Sequence, residues 1–287
     1  NDTYELEVVF NDTYTLRKSL NISKYYTSTE FTANYTYDGD DLGATVKNDQ
    51  TTFKLWAPIS NAVRVELYRY GHPTSLGNDQ YPGDDTPVKS FDLTLGEKGV
   101  WSVTVDENLT GYYYTYTVTN GEKTTKDIVD PYAFAGGLNG LRGYIVDFNA
   151  TNPVGWAYDR KRLYKPNELV VYELHVRDLT MDDSWTGTEK NRGTYLGMCE
   201  SGTTYKEGNT TVTTGFDHIK ELGVNAVQIL PFYDQANDER ADDDPTRTDG
   251  STRKFNWGYN PLNYNSLDGI YSTNPYDGNV RVNEYKQ

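Results

Sequence analysis

Glu168-Leu169-Val170-Val171-Tyr172-Glu173-Leu174-His175-Val176 is a nearly unbroken run of strand-forming residues, the pattern of a strand buried on both faces of a parallel sheet. Downstream, Thr214-Gly215-Phe216-Asp217-His218-Ile219-Lys220-Glu221-Leu222-Gly223 reads as a helix. Phe216, Ile219 and Leu222 fall at i, i+3 and i+6, and Gly223 marks its stop. Val224-Asn225-Ala226-Val227-Gln228-Ile229-Leu230-Pro231 is then a second buried strand. Strand, long insertion, helix and strand make one βαβ unit, parallel and right-handed by the general rule. Eight such units close a (β/α)8 TIM barrel. Residues 168–287 are fewer than half of the roughly 250 residues that closure needs. The expectation is the first part of a barrel, incomplete within this chain.

Upstream the grammar is all-β. Residues 34–147 hold candidate strands at Thr51–Ala57, Ala62–Tyr70, Val88–Leu95, Val100–Val105 and Tyr112–Thr119. Turn signals separate them, among them Asp38-Gly39, Pro82-Gly83-Asp84-Asp85 and Leu95-Gly96-Glu97. Regular short strands with such punctuation predict a β-sandwich. Asn120-Gly121-Glu122 between apolar-aromatic runs predicts a tight hairpin of type I′. Residues 1–33 read as short strand pieces, the tail of a preceding β element, and residues 148–287 as a linker and the start of the barrel, incomplete.

Composition narrows the function classes. The chain carries 42 acidic and 27 basic residues, a net charge of −15. That field repels nucleic acid and anionic lipid, so neither is expected as a partner, whereas a neutral ligand such as a sugar is not penalised. No apolar run approaches the ~18 residues of a membrane span. Cys199 stands alone, which excludes a disulfide framework and zinc spacing. Secreted, cell-surface and cytoplasmic settings all stay open. The first residues are not led by Met and carry no basic-then-apolar signal, so the start reads as processed or cut.

Three segments, in order, resemble one family. Phe53-Lys54-Leu55-Trp56-Ala57-Pro58 is similar to the strand that opens the carbohydrate-binding sandwich of many α-glucan enzymes. Val171-Tyr172-Glu173-Leu174-His175-Val176-Arg177-Asp178 is similar to the first barrel strand of the debranching group of the α-amylase superfamily. Phe255-Asn256-Trp257-Gly258-Tyr259-Asn260-Pro261 resembles the signature loop of type I pullulanases, with Phe255 where the family has Tyr and Asn260 where it has Asp. Asn260 still donates and accepts at a sugar hydroxyl but carries no charge. The resemblance implies an immunoglobulin-like sandwich before a barrel. It also implies a glycoside hydrolase acting on α-1,6 bonds of pullulan, starch or glycogen with retention. Two rival readings stay open: another superfamily member, such as an isoamylase or branching transferase, and a non-catalytic α-glucan-binding fragment.

By the same resemblance the catalytic carboxylates follow barrel strands 4, 5 and 7, so no catalytic residue is expected in this chain, and the remaining barrel polypeptide is an expected partner. The substrate-binding candidates are Asn256, Trp257, Tyr259 and Asn260, in a loop after the second strand, at the barrel end where active sites form. Aromatic faces there would pack on the C–H faces of glucose; loop-core aromatics and turn-forming Asn residues are the alternatives. His175 reads as a satisfied barrel histidine, and Asp178 and His175 together as residues that could order the site. Trp56 and Trp101 read as sandwich core, with sugar platforms as the alternative. The acidic loop Asp238-Glu239-Arg240-Ala241-Asp242-Asp243-Asp244 lacks the spacing of a calcium loop and reads as solvated. No cofactor is expected; calcium is possible but no specific motif supports it.

Overall fold

The computed structural model describes residues 4–10, 14–20, 23–160, 162, 164–240 and 257–287. It opens with an antiparallel hairpin, β1 (Tyr4–Phe10) and β2 (Tyr14–Leu20). Helix α1 (Thr29–Tyr35) follows, in a region expected to hold strand pieces. The overlooked signal is a start motif: the Ser28 hydroxyl accepts from the Phe31 amide, and Glu30 lies in the first turn. Phe31 then docks edge-on against Trp56 of the sandwich.

Nine strands build the next region: β3 (Gly43–Lys47), β4 (Gln50–Trp56), β5 (Ala62–Tyr68), β6 (Lys89–Asp92), β7 (Thr94–Leu95), β8 (Val100–Val105), β9 (Tyr113–Asn120), β10 (Lys123–Ile128) and β11 (Gly143–Tyr144). One sheet runs β3-β4-β8-β7 and the other β10-β9-β5-β6, with β11 beside β9. The expected hairpin forms: Asn120 pairs with Lys123 around Gly121, whose φ is +59°. The stretch Val88–Leu95 is not one strand but two, β6 and β7, one in each sheet. Alternation sets the core. On β4, Phe53 and Leu55 turn inward, to meet Val63, Val65 and Leu67 of β5 and Tyr114 and Tyr116 of β9. Trp101 is buried in this core, as expected.

Beyond the sandwich come β12 (Val171–Leu174), α2 (Tyr195–Met198), the hairpin β13 (Thr204–Glu207) and β14 (Thr210–Thr213), α3 (Gly215–Glu221), β15 (Ala226–Ile229), β16 (Tyr233–Gln235), β17 (Pro261–Leu267) and α4 (Gly278–Lys286). β12 and β15 pair in parallel, Val171 opposite Ala226 and Leu174 opposite Ile229, with α3 between them in sequence. This is the βαβ unit read from the sequence. The expectation that its strands are buried on both faces is not met: Val170, Val171 and Val227 are exposed, as are Phe216 and Leu222 of α3. Two strands and a helix of seven residues do not enclose a core. Among the described residues of α3, Ile219 is the one apolar side chain that is buried. No helix among the described residues is long and apolar enough to cross a membrane.

The sandwich and the parallel unit are joined by buried polar bonds. The Tyr113 hydroxyl donates to the Tyr276 carbonyl at 3.0 Å and accepts from the Gly278 amide at 3.1 Å. Tyr68, Tyr113 and Tyr144 of the sandwich share one apolar cluster with Leu267 and with Val282 of α4.

Candidate substrate site

The site is built at the carboxyl ends of β12 and β15. There Leu174 and Ile229 are paired, and the Leu230 amide donates to the Leu174 carbonyl at 2.8 Å. His175 leaves β12 into a buried position. Its Nε2 lies 3.2 Å from the Tyr271 hydroxyl, and the Asp178 amide donates to Nδ1 at 3.4 Å. Burial pushes the Tyr271 phenol up, so it remains a neutral hydrogen-bonding group. His175 is thus tied in place on both ring nitrogens. Asp178, half open to solvent, sits 3.6 Å from Nδ1 and 3.9 Å from the Arg177 guanidinium.

Pro231 follows β15, and Gly258, just before β17, lies against it. Gly258 has φ +77°, and a Cβ there would stand 1.7 Å from the Pro231 carbonyl oxygen, so only glycine fits without displacing the backbone. Gln235 Nε2 clamps the same residue by donating to the Gly258 carbonyl at 3.0 Å. Its neighbours project outward: Trp257 is 62% and Tyr259 67% exposed, and Asn260 is exposed beside them. Three of the four substrate-binding candidates therefore form one open edge on a clamped turn; Asn256 lies outside the described residues.

Beneath the loop is a buried charge cluster that sequence reasoning missed. The carboxylate oxygens of Asp234, Glu239 and Asp268 lie within 4.8 Å of one another, close enough to share a cation. A guanidinium is already among them: Arg281 Nη2 is 3.1 Å from Glu239 Oε2, and its donors also reach the carbonyls of Leu267 and Pro275. Asp268 accepts from the Gln235 amide and from Asn237, which links the cluster to the clamp on Gly258. Burial and the Glu239 charge push the Asp234 carboxyl up to about 7, and push Asp268 well up too, so the cluster retains protons where ordinary carboxylates have lost them. Glu239 was expected in a solvated loop and is instead buried, accepting from the Asn139 and Gly269 amides. Asp242, Asp243 and Asp244 of that loop lie outside the described residues. Gly140 shows how closely the sandwich end approaches: a Cβ there would lie 1.9 Å from Asp234 Oδ2.

Trp56 reverses its expectation as a core residue. The alternation that buries Phe53 and Leu55 turns Trp56 outward, 41% exposed.

Comparison with known proteins adds four findings. Residues 41–133 match the family described as Carbohydrate-binding module 48 (Isoamylase N-terminal domain). The chain is 32% identical to a pullulanase of Bacillus subtilis (strain 168) over 94% of its own length and 33% of that protein. It is 31% identical to Pullulanase A of Streptococcus pneumoniae serotype 2 over 96% of its length and 22% of that protein. Among solved structures it is similar to the pullulanase of Paenibacillus barengoltzii complexed with maltohexaose and α-cyclodextrin, with a TM-score of 0.74 and 40% identity, covering 90% of this chain and 36% of that one. The chain thus spans about a third or less of the length of the curated relatives it matches.

Proposed function

We propose that this chain, whose residues 41–133 match a carbohydrate-binding module and which is similar to the front part of pullulanases, supplies the substrate-holding front of a debranching enzyme. That enzyme hydrolyses α-1,6-glucosidic bonds in pullulan and branched starch fragments by a retaining mechanism. The observation that carries the reading is the exposed Trp257–Tyr259 edge, held on a clamped glycine turn at the carboxyl end of a parallel strand. A flat apolar face there packs on glucose C–H groups, and Asn260 beside it offers a donor and an acceptor to the hydroxyls. Retention requires two accessible carboxylates about 5–5.5 Å apart across the cleaved bond. Asp234, Glu239 and Asp268 are close together but buried, so they hold the scaffold and cannot reach a polysaccharide. The family resemblance, with the catalytic carboxylates after barrel strands 4, 5 and 7, supports placing the catalytic pair in further barrel polypeptide, and that polypeptide would cover the exposed valines of β12 and β15.

The test is product release from pullulan. The full-length protein should liberate maltotriose and leave linear amylose uncut, and the 287 residues alone should give no new reducing ends. Cleavage of amylose with pullulan left intact contradicts the linkage. Turnover by the 287 residues alone contradicts the placement of the catalytic pair.

A further inference from the structure

The junction between the sandwich and the parallel unit contains a histidine that the substrate site does not use. His72 lies in the loop between β5 and β6, with none of its surface open to solvent. Its Nδ1 is 3.1 Å from the Pro73 carbonyl oxygen. A carbonyl only accepts, so Nδ1 carries the proton of the neutral ring and Nε2 keeps a bare lone pair. Nε2 is buried and has no hydrogen-bond partner among the described residues. Gly83, at φ +78°, folds the loop tightly over the ring: a Cβ there would stand 2.9 Å from Nδ1.

The ring packs across the junction. It meets Tyr276 edge to face, with ring centroids 5.2 Å apart. Tyr81 of the same loop stacks on Tyr276, the planes 4° from parallel, and its hydroxyl accepts from Asn274 Nδ2 at 2.8 Å. His72 and Tyr81 thus grip the segment that leads into α4. The charged groups around His72 come from three places. Arg142, beside β11, donates from Nη1 to the His72 carbonyl at 3.3 Å and to Asp84 Oδ1 at 2.5 Å, with its guanidinium over the Tyr68 ring. Arg240, paired with Asp238 after β16, acts on His72 from across the junction. Asp84, in the loop itself, favours a charged imidazole but is already engaged by Arg142. The remaining titratable neighbour is the Tyr70 phenol, its ring 6.2 Å away.

We propose that His72 is a proton-operated latch between the sandwich and the parallel unit: the neutral ring holds the Tyr276 segment in place, and a proton added at Nε2 releases it reversibly. The added N–H would face no acceptor, in a place closed to water and beside two guanidinium groups. Burial holds His72 below its ordinary value of 6.5, and Arg142 and Arg240 act in the same direction. A histidine depressed in the closed state stabilises that state fully above about 6.5, and the contribution is lost as pH falls below it. Opening that returns the ring to water should therefore become about tenfold more favourable between pH 7.5 and pH 5.5. Asp234 and Asp268, which hold protons more firmly in the folded chain, act in the opposite direction and cannot produce this opening. The latch does not depend on the proposed function.

The experiment is hydrogen exchange of the full-length protein at pH 7.5, 6.5 and 5.5, read by mass spectrometry, with labelling times corrected for the intrinsic pH dependence of exchange. Peptides over residues 70–86 and 272–280 report the two sides of the junction; peptides over β4 and β9 report the sandwich itself. In wild type, exchange through opening should rise about tenfold in both junction segments from pH 7.5 to pH 5.5, with β4 and β9 unchanged. His72→Asn keeps an amide donor for the Pro73 carbonyl and does not titrate, so its junction should exchange alike at all three pH values. If His72→Asn does not fold, His72→Gln replaces it, and if neither folds the wild-type profile decides. Equal protection of the junction segments at pH 7.5 and pH 5.5 overturns the latch. So does a loss shared equally by β4 and β9, which is general unfolding. A pH dependence that persists in the folded variant places the proton on another group and overturns it as well.

Discussion

Arg281 and Glu239 form an ion pair at 3.1 Å in which neither side chain reaches solvent. The pair joins two parts of the chain, because Arg281 also reaches the Gly137 carbonyl while Glu239 accepts from the Asn139 amide. A buried pair of this kind is not in itself strongly stabilising, but breaking it leaves an uncompensated charge. Arg281→Ala should therefore cost about 3–5 kcal/mol of stability, read as a lower urea midpoint. Arg281→Met combined with Glu239→Met should recover part of that loss. A single substitution that costs under about 1 kcal/mol, the level of a surface pair, contradicts the structural role.

The same cluster sets a pH dependence. Asp234 is pushed up to about 7 from an ordinary value of 3.8, first by burial and then by Glu239. A carboxyl whose folded pKa is raised binds more protons folded than unfolded. Its stabilising contribution is complete below the unfolded value and is lost as pH rises through about 7. Asp268, also raised, acts in the same direction. His72 acts in the opposite one: burial keeps it neutral, so its contribution is lost as pH falls through the unfolded histidine range. The melting temperature of wild type should fall between pH 5 and pH 8 more steeply than that of Asp234→Asn, which keeps the His72 contribution. Parallel profiles for the two proteins contradict the assignment of a retained proton to Asp234.

The βαβ unit was legible because long apolar strands and a glycine-stopped helix have distinct periods, and β12, α3 and β15 lie where those periods place them. The sandwich was legible for the same reason, down to the turn at Gly121. Helix α1 was lost because Tyr4–Phe10 alternates so clearly that the residues after it were given the same reading. Trp56 was misplaced because a Trp in an alternating strand was read as core by residue type, although Phe53 and Leu55 already fix which face points inward. The Asp234–Glu239–Asp268–Arg281 cluster had no local signature, since Arg281 meets Glu239 across 42 residues of sequence and only packing brings them together. The loop aromatics stood out as candidates because a short motif carries them; the clamp of Gly258 by Gln235 and its close contact with Pro231 needed coordinates.

Gly258 links the fold to the site. Any side chain there meets both a positive φ and the Pro231 carbonyl. Gly258→Ala should therefore move the loop, lowering kcat/KM on pullulan in the full-length protein. The stability cost should be about 1–3 kcal/mol, as for a residue held in a sparsely populated backbone region. Gln235→Ala, which removes the clamp but not the glycine, should reduce kcat/KM with a smaller stability cost, near 1 kcal/mol for a lost hydrogen bond. Unchanged kinetics in Gly258→Ala, with the fold intact by melting, separate the loop from substrate binding.

That Tyr259 belongs to the wall that holds the glucan is tested most directly by steady-state kinetics on pullulan, comparing Tyr259→Ala and Tyr259→Phe in the full-length protein. The ring is 67% exposed, so its removal disturbs little packing. A ring stacked beside the cleaved bond acts in the transition state, as the glucose flattens towards an oxocarbenium ion. Tyr259→Ala should lower kcat/KM by roughly 2–4 kcal/mol. Tyr259→Phe, which keeps the face and loses the hydroxyl, should lose less, and both should melt near wild type. Near-normal kcat/KM in Tyr259→Ala, together with a fallen melting temperature, would make the ring a structural anchor and contradict its place in the substrate site.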